Sequence, residues 1–136
     1  MIKLKDILLE STAPDIFVPR RMDDRFERMI KDYIRNGSKG DLELSNMNLT
    51  KLPEILKDIS VGGHFFCSGN SLTTLENSPK TVGGSFFCGR NQLISLKGAP
   101  KTVGDNFFCG LNPVKFTREQ VRAVCDVKKR IFVWLN

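Results

Sequence analysis

A chain of 136 residues has room for one domain, and a 40% share of hydrophobic residues allows a continuous but slender core. No run is long and apolar enough to span a bilayer, and charged residues such as Lys3, Asp6 and Glu10 break up any secretory signal. The formal net charge of +6 is uneven, because residues 113–136 carry 6 Lys/Arg against 2 Asp/Glu whereas residues 40–112 carry 6 of each.

Residues 1–39 are predicted to form an N-terminal leader and a capping helix. Asp23 or Asp24 can cap the start of this helix, which is expected to run to Asn36, where Gly37 supplies the stop. Apolar residues at helical spacing give the helix one stripe, which we expect to cover the open end of the first repeat. The stripe consists of Phe26, Met29, Ile30, Tyr33 and Ile34.

Residues 40–112 repeat themselves. The segment SGNSLTTLENSPKTVGGSFFC is followed by GRNQLISLKGAPKTVGDNFFC, and Asn70, Asn91 and Asn112 recur at one fixed interval. A period of about 21 residues is typical of one coil of a leucine-rich stack, with a short strand, a tight corner and a return path. We therefore predict an α/β solenoid, a short leucine-rich repeat stack with parallel strands on its concave face, an N-terminal helical cap and a C-terminal helix-strand cap.

Alternation along each strand assigns the inward positions of the coils. The asparagines are expected to form a ladder whose amides bind backbone groups at the corners. The segment LELSNMNLTKLP fits the same template one coil earlier, with Met47 in place of the asparagine. The predicted inward residues of the two clearest repeats and of the strand before them are Phe65, Cys67, Leu72, Leu75, Val82, Phe86, Cys88, Leu93, Leu96, Val103, Phe107 and Cys109.

Residues 113–136 are predicted to be a C-terminal cap made of a helix and a final strand. Thr117 and Gln120 form a capping box that opens a helix from Arg118 to about Val124. The segment RIFVWLN then gives the last strand, with Ile131 and Val133 inward and Asn136 at the ladder position.

The patterns LxLxxMxLxxLP and LxxLxxxPxxVGxxFxCxxNxL resemble those of leucine-rich repeat proteins over nearly the whole chain. More narrowly, the chain is similar to the short repeat proteins encoded by T4-like and related bacteriophages, which often begin with a MIKLKDIL-type leader and end with an xFTxEQVRxVCxVK-type cap. The resemblance implies a binding module that acts on a bacterial host protein or a phage protein and modulates host processes or defence.

The candidate site is a row of outward-facing phenylalanines. Phe66, Phe87, Phe108 and Phe132 occupy the central outward position of successive strands, and contiguous exposed aromatics are typical of protein interfaces. We expect these rings to bind a protein partner, although the rings can also serve only to strengthen the sheet by stacking. The residues expected to flank them on the same face are Glu43, His64, Ser85, Asn106 and Trp134.

Catalysis and cofactor binding find no support in the sequence. His64 is the single histidine and has no acid or nucleophile at a spacing that indicates a reaction. Cys67, Cys88 and Cys109 recur at the coil period, which matches no zinc pattern, so with Cys125 they are expected to be reduced core thiols. We therefore predict a non-enzymatic cytoplasmic protein without metal, cofactor or membrane association.

Two alternatives remain open at this point. Basic residues of the C-terminal cap, together with the aromatic row, are expected to suit single-stranded nucleic acid through charge and stacking. The other alternative is a homo-oligomeric scaffold joined through the same phenylalanines, so the sequence leaves monomer and oligomer both open. The candidate nucleic-acid residues are Lys115, Arg118, Arg122, Lys128, Lys129 and Arg130.

Overall fold

The computed structural model describes residues 18–133, with side-chain surroundings from residue 25 onward. The chain divides into two compact units, residues 1–31 and 32–136. In chain order the elements are α1 (Val18–Arg35), β1 (Leu42–Glu43), a 3₁₀ turn (Glu54–Asp58), β2 (Ser60–Val61), β3 (Phe65–Phe66), β4 (Thr81–Val82), β5 (Phe86–Phe87), β6 (Thr102–Val103), β7 (Phe107–Phe108), α2 (Arg118–Val124), β8 (Asp126–Val127) and β9 (Ile131–Phe132). None of the described helices is long and apolar enough to cross a membrane.

Helix α1 starts earlier than the sequence predicts. Its first residue is Val18, so Asp23 and Asp24 lie inside the helix and the prediction that one of them is the N-cap is wrong. Pro19 falls in the first turn, where its fixed φ favours the helix. Proline lacks a backbone N–H, but N–H groups of the first turn have no intrahelical acceptor, so no hydrogen bond is lost. The apolar stripe could not reveal this start, because it begins only at Phe26.

The predicted end of α1 is confirmed. Gly37 has a φ of 92°, a left-handed conformation that glycine adopts without a steric penalty. The Gly37 N–H donates to the Ile34 carbonyl at 2.9 Å, and the Ser38 N–H donates to the Tyr33 carbonyl at 3.1 Å. These two bonds are the Schellman pattern that closes a helix at a glycine.

The first sheet has five parallel strands in the order β1, β3, β5, β7, β9. Phe65 pairs with Phe86 and Phe86 pairs with Phe107, so each strand lies one sequence repeat after its neighbour. We call these five strands rungs one to five, in that order. The prediction of parallel strands stacked in repeating units is therefore confirmed.

A second sheet, which sequence analysis did not predict, runs along the other side of each repeat. Its four strands are also parallel, in the order β2, β4, β6, β8, with Val61 paired to Val82 and Val82 to Val103. The sequence did contain the signal, because a β-branched Thr-Val pair precedes a glycine in two successive repeats. The two-residue length of these strands is too short for periodicity to distinguish them from a turn.

The core lies between the two sheets and follows the predicted inward positions. Phe65, Phe86 and Phe107 are fully buried, with centroid separations of 5.5 Å and 5.1 Å between successive rings. The remaining inward residues form parallel columns of leucine, valine and cysteine. The buried members are Leu42, Leu44, Leu49, Leu52, Cys67, Leu72, Leu75, Val82, Cys88, Leu93, Leu96, Val103, Cys109 and Ile131.

The C-terminal segment forms a cap across the last rung. Thr117 and Gln120 make the predicted capping box. The Thr117 hydroxyl accepts the Gln120 N–H at 3.1 Å, and Gln120 Oε1 accepts the Thr117 N–H at 2.9 Å. Cys125 is buried as the residue that ends α2 rather than lying within the helix. Val133, expected inward, is only partly buried, and the prediction for Asn136 lies outside the described residues.

Candidate functional site

The second phenylalanine of each strand forms a continuous row on the outer face of the first sheet. We call Phe66, Phe87, Phe108 and Phe132 the phenylalanine file. All four side chains are partly exposed. Successive ring centroids are 4.7, 4.5 and 4.6 Å apart, and the ring planes differ by only 6–7°.

The file follows directly from the two-residue strands. Successive side chains of a strand point to opposite faces, so the first ring of each Phe-Phe pair enters the core and the second faces outward. Parallel pairing in register then places Phe66 beside Phe87 and Phe87 beside Phe108. Both the buried and the outward columns thus arise from the same FF dipeptide.

The stacking of the rings determines which part of each ring is accessible. Phe87 lies between Phe66 and Phe108, and Phe108 lies between Phe87 and Phe132, so neighbouring rings cover both faces of each inner ring. The inner rings consequently present their rims to solvent. A flat ligand such as a nucleobase needs an open ring face to stack on, and the two central rings offer none.

A ladder of side-chain acceptors runs along one edge of the file. Asp41 Oδ1 accepts the His64 N–H at 2.7 Å, and His64 Nδ1 accepts the Ser85 N–H at 2.8 Å. The Ser85 hydroxyl accepts the Asn106 N–H at 3.2 Å, and Asn106 Oδ1 accepts the Arg130 N–H at 3.0 Å. Each of these side chains thus binds the backbone at the equivalent position of the next repeat.

Sequence reasoning missed this edge ladder. The signal that could have revealed it is an acceptor atom in the residue before the inward position of each of the first four strands of this sheet. Those residues are Asp41, His64, Ser85 and Asn106. The four side chains differ chemically, being a carboxylate, an imidazole, a hydroxyl and an amide. A search for one residue type at a fixed interval therefore does not find their shared role.

The ladder changes the interpretation of two predicted flanking residues. Ser85 is buried, 4% exposed, and its hydroxyl is engaged, so the expectation that it lies open beside the file is corrected. His64 does lie beside the file, with its ring centroid 5.9 Å from Phe66 and 6.2 Å from Phe87 in edge-on geometry. Because its Nδ1 accepts a hydrogen bond, the neutral ring carries its proton on Nε2.

The other predicted flanking residues lie near the ends of the file. Glu43 is exposed on rung one, in register with Phe66, and its Oε1 accepts the Ser45 N–H at 2.7 Å. Asn106 is partly exposed on rung four. The prediction for Trp134 falls outside the residues that the structure describes.

The predicted asparagine ladder is present. The amide of Asn91, which is 2% exposed, donates to the carbonyls of Cys67 and Cys88 at 3.0 Å and 3.1 Å, while its Oδ1 accepts the Leu72 N–H at 3.1 Å. Asn70 and Asn112 make equivalent bonds in the neighbouring repeats. These side chains connect adjacent repeats and are not available to a ligand.

The turn after the outward position of each of the first four strands of the first sheet includes a residue with left-handed backbone conformation. Asn46 and Gly69 occupy this position in the first repeats, and Arg90 and Leu111 occupy it in the next, with φ between 54° and 73°. Arginine and leucine lose about 1–2 kcal/mol in this conformation relative to glycine. Leu111 is 46% exposed, so it adds an apolar side chain to the surface at this corner.

The four cysteines are buried and have free thiols. Burial raises the pKa of the Cys109 thiol to about 11 and that of Cys125 to about 12, and the carboxylate of Asp126 adds to the effect on Cys125. Burial also raises the pKa of Cys67 and Cys88. Among the described residues, no group of three or more His, Cys, Asp or Glu side chains is placed to hold a metal ion.

Several of the candidate nucleic-acid residues are engaged within the chain. Arg118 Nε donates to the Ile131 carbonyl at 3.3 Å, and Arg122 donates to the Val127 carbonyl at 3.2 Å. Two lysines form ion pairs, Lys128 with Asp126 at 2.7 Å and Lys129 with Asp105 at 2.9 Å. All six candidate residues are exposed, but the two neighbouring carboxylates offset the charge of two of the lysines.

The second sheet carries a shallow groove of about 760 Å³ on its outer side. Residues that line it include Ser60, Thr81 and Thr102, together with Ile34 and Lys128. The groove therefore differs in chemistry from the phenylalanine file, since hydroxyls rather than aromatic rings repeat along it.

The phenylalanine file is consequently the most continuous apolar feature described on the outer face of either sheet. Comparison of the chain with family models, with curated proteins and with solved structures found no match.

Proposed function

We propose that this chain is a leucine-rich repeat solenoid of the bacteriophage type, acting without catalysis as a protein-binding module whose phenylalanine file docks on a bacterial host or phage protein. The observation that carries the proposal is the unbroken stack of four partly exposed rings on one sheet face. Contiguous exposed apolar area is uncommon on proteins that have no partner.

The file is suited to binding because it is already ordered. Backbone pairing and ring stacking hold the four side chains in one arrangement, so little side-chain entropy remains to be lost on docking. Aromatic residues also contribute disproportionately to interface energy. A preformed surface of this kind acts by occlusion, covering a functional surface of its partner.

Two observations weigh against nucleic acid as the ligand. The two inner rings offer rims rather than faces, so at most the two end rings are left for the base stacking by which single-stranded nucleic acid is bound. Lys128 and Lys129 form ion pairs with Asp126 and Asp105, which offsets part of the charge available for phosphates.

The test is affinity capture from bacterial lysate with three versions of the chain. One is the natural sequence, one carries Phe87→Glu and Phe108→Glu, and the matched control carries Thr81→Glu and Thr102→Glu. The control introduces the same charges at outward positions of the second sheet in the same repeats. Circular dichroism first establishes that all three are folded.

We expect the natural chain and the threonine control to retain the same protein, and the phenylalanine variant to lose it. Two carboxylates in the file would have to be desolvated on docking, so the amount captured should fall at least about tenfold. Equal retention by all three versions would remove the file from the proposal.

A further inference from the structure

The phenylalanine file has opposite charges at its two ends. On rung one, Asp41 and Glu43 lie on either side of the inward Leu42, and both are exposed. On rung five, Arg130 immediately precedes Ile131 and is exposed. In the described part of the chain, none of these three side chains takes part in an ion pair.

This arrangement is complementary to itself under a two-fold rotation. An axis that runs parallel to the strands and passes over Phe87 reverses the order of the rungs but keeps the direction of the strands. Rung one of one copy then faces rung five of the other, and rung two faces rung four. Phe66 consequently faces Phe108, Phe87 faces its own equivalent, and Phe132 on rung five faces Glu43 on rung one of the other copy.

The same rotation pairs the charges. Asp41 and Arg130 occupy the equivalent position before the inward residue on their rungs, and they lie on the same side of the file. Because the strand direction is kept, Asp41 of each copy meets Arg130 of the other, twice in one dimer. A two-fold interface requires this kind of matched surface.

We infer that the phenylalanine file docks on the file of a second copy of this chain in an antiparallel arrangement of rungs. This inference rests on the proposed function, since it assigns an occupant to the same surface. Rim-against-rim packing removes apolar area from water whatever the orientation of the rings. The end charges fix the register and exclude the parallel arrangement, in which like charges would meet.

The size of the surface determines how stable such a dimer is. Five rungs at about 4.8 Å span roughly 19 Å, which is smaller than the footprint of a standard stable interface. The dimer is therefore reversible, and a protein partner with a better fit displaces the second copy. Self-association in this way keeps the file covered until the partner is present.

A charge-swap experiment tests the inference. Sedimentation velocity over a concentration series is measured for the natural chain, for Asp41→Lys, for Arg130→Glu and for an equimolar mixture of the two variants. Glu119→Lys and Lys115→Glu are matched controls, because they make the same charge changes at exposed positions of the C-terminal cap, away from the file. Phe87→Glu with Phe108→Glu removes the apolar contact.

We expect the natural chain and both controls to dimerise with the same affinity. Each single swap places like charges together at both ends of the dimer and should weaken dimerisation at least about tenfold. In the mixture, the lysine introduced by Asp41→Lys meets the glutamate introduced by Arg130→Glu at one end of the heterodimer. The natural pair is intact at the other end, so the heterodimer should recover.

Two results would overturn the inference: a natural chain that stays monomeric throughout the series, or a dimer that responds to neither swap nor to the phenylalanine variant. Failure here is separable from failure of the proposed function. A monomer that still captures a protein through the file contradicts only the second copy as occupant, whereas a charge-swappable dimer that captures nothing contradicts only the external partner.

Discussion

At the scale of single residues, the molecule depends on side chains that replace backbone hydrogen bonds between repeats. Asn91 is the clearest case, because one amide satisfies the Leu72 N–H and the carbonyls of Cys67, Cys88 and Gly89. The chain turns a corner at those groups, so they cannot all pair with another strand. An unsatisfied buried polar group costs about 1–3 kcal/mol, so this residue type is required wherever the corner is buried.

Replacement of Asn91 by alanine should therefore lower the free energy of unfolding by about 2–4 kcal/mol, as measured by urea denaturation. The neighbouring exposed Gln92 is the control, because its side chain makes no described hydrogen bond and Gln92→Ala should change stability by less than about 0.5 kcal/mol. Equal effects of the two substitutions would contradict a structural role for the asparagine.

The buried thiols predict a loss of stability at alkaline pH. Thiols of the unfolded chain ionise near their ordinary pKa of 9.0, whereas burial holds the pKa of Cys109 at about 11 and of Cys125 at about 12. Above pH 9.0 the unfolded state therefore binds fewer protons than the folded state, and the free energy of unfolding falls as the pH rises. The stabilisation is complete below pH 9.0 and is lost as the pH rises toward the raised values.

The measurement is urea unfolding at a series of pH values from neutral upward. Each affected thiol should contribute a slope of up to about 1.4 kcal/mol per pH unit in the alkaline range. A variant with Cys109→Ala and Cys125→Ala should show a shallower decline, even though its stability at neutral pH is lower. An unchanged slope would mean that these thiols do not titrate differently in the two states.

At the scale of elements, helix α2 closes the open edges of both sheets. The carbonyls of Arg130 and Phe132 face β7, so the carbonyl of Ile131 between them points away from the sheet. Arg118 donates to it, and one turn later Arg122 donates to the outward carbonyl of Val127 on β8. Two arginines four residues apart thus satisfy one edge carbonyl on each sheet, which explains part of the basic character of the cap.

Substitution of either arginine by methionine keeps much of the side-chain volume and removes the donor. Arg118→Met and Arg122→Met should each lower the free energy of unfolding by about 1 kcal/mol, and the double variant should aggregate more readily because both sheet edges lose their cover. Lys115→Met, at an exposed position of the same cap, is the control for loss of positive charge. If Lys115→Met had the same effect, net charge rather than edge capping would be responsible.

At the scale of the whole molecule, the spacing of the repeats depends on contacts that only glycine permits. A Cβ atom on Gly104 would overlap the carbonyl oxygen of Gly83, and one on Gly83 would come within 2.5 Å of the carbonyl oxygen of Gly62. Backbone therefore touches backbone at the same corner of successive repeats. Any side chain there would separate the repeats and weaken both sheets together.

Gly104→Ala should consequently destabilise the protein by at least about 2 kcal/mol in thermal or urea unfolding. Gly40 is a matched control, since a Cβ at that position meets no atom within 4 Å, and Gly40→Ala should be neutral or stabilising by up to about 1 kcal/mol. Similar losses for both substitutions would indicate a general need for glycine flexibility instead of close approach.

The sequence alone determined the repeat, the inward and outward columns and the asparagine ladder, because each depends on one residue type recurring at a fixed interval. It also determined the capping box at Thr117, which is a local interaction over three residues. Only the tertiary structure decided what depends on neighbouring repeats. Asp41, His64, Ser85 and Asn106 share a role through a common hydrogen-bond position, the Thr-Val pairs become a second sheet only by pairing across repeats, and the rings of the file lose their open faces only when stacked 4.5–4.7 Å apart.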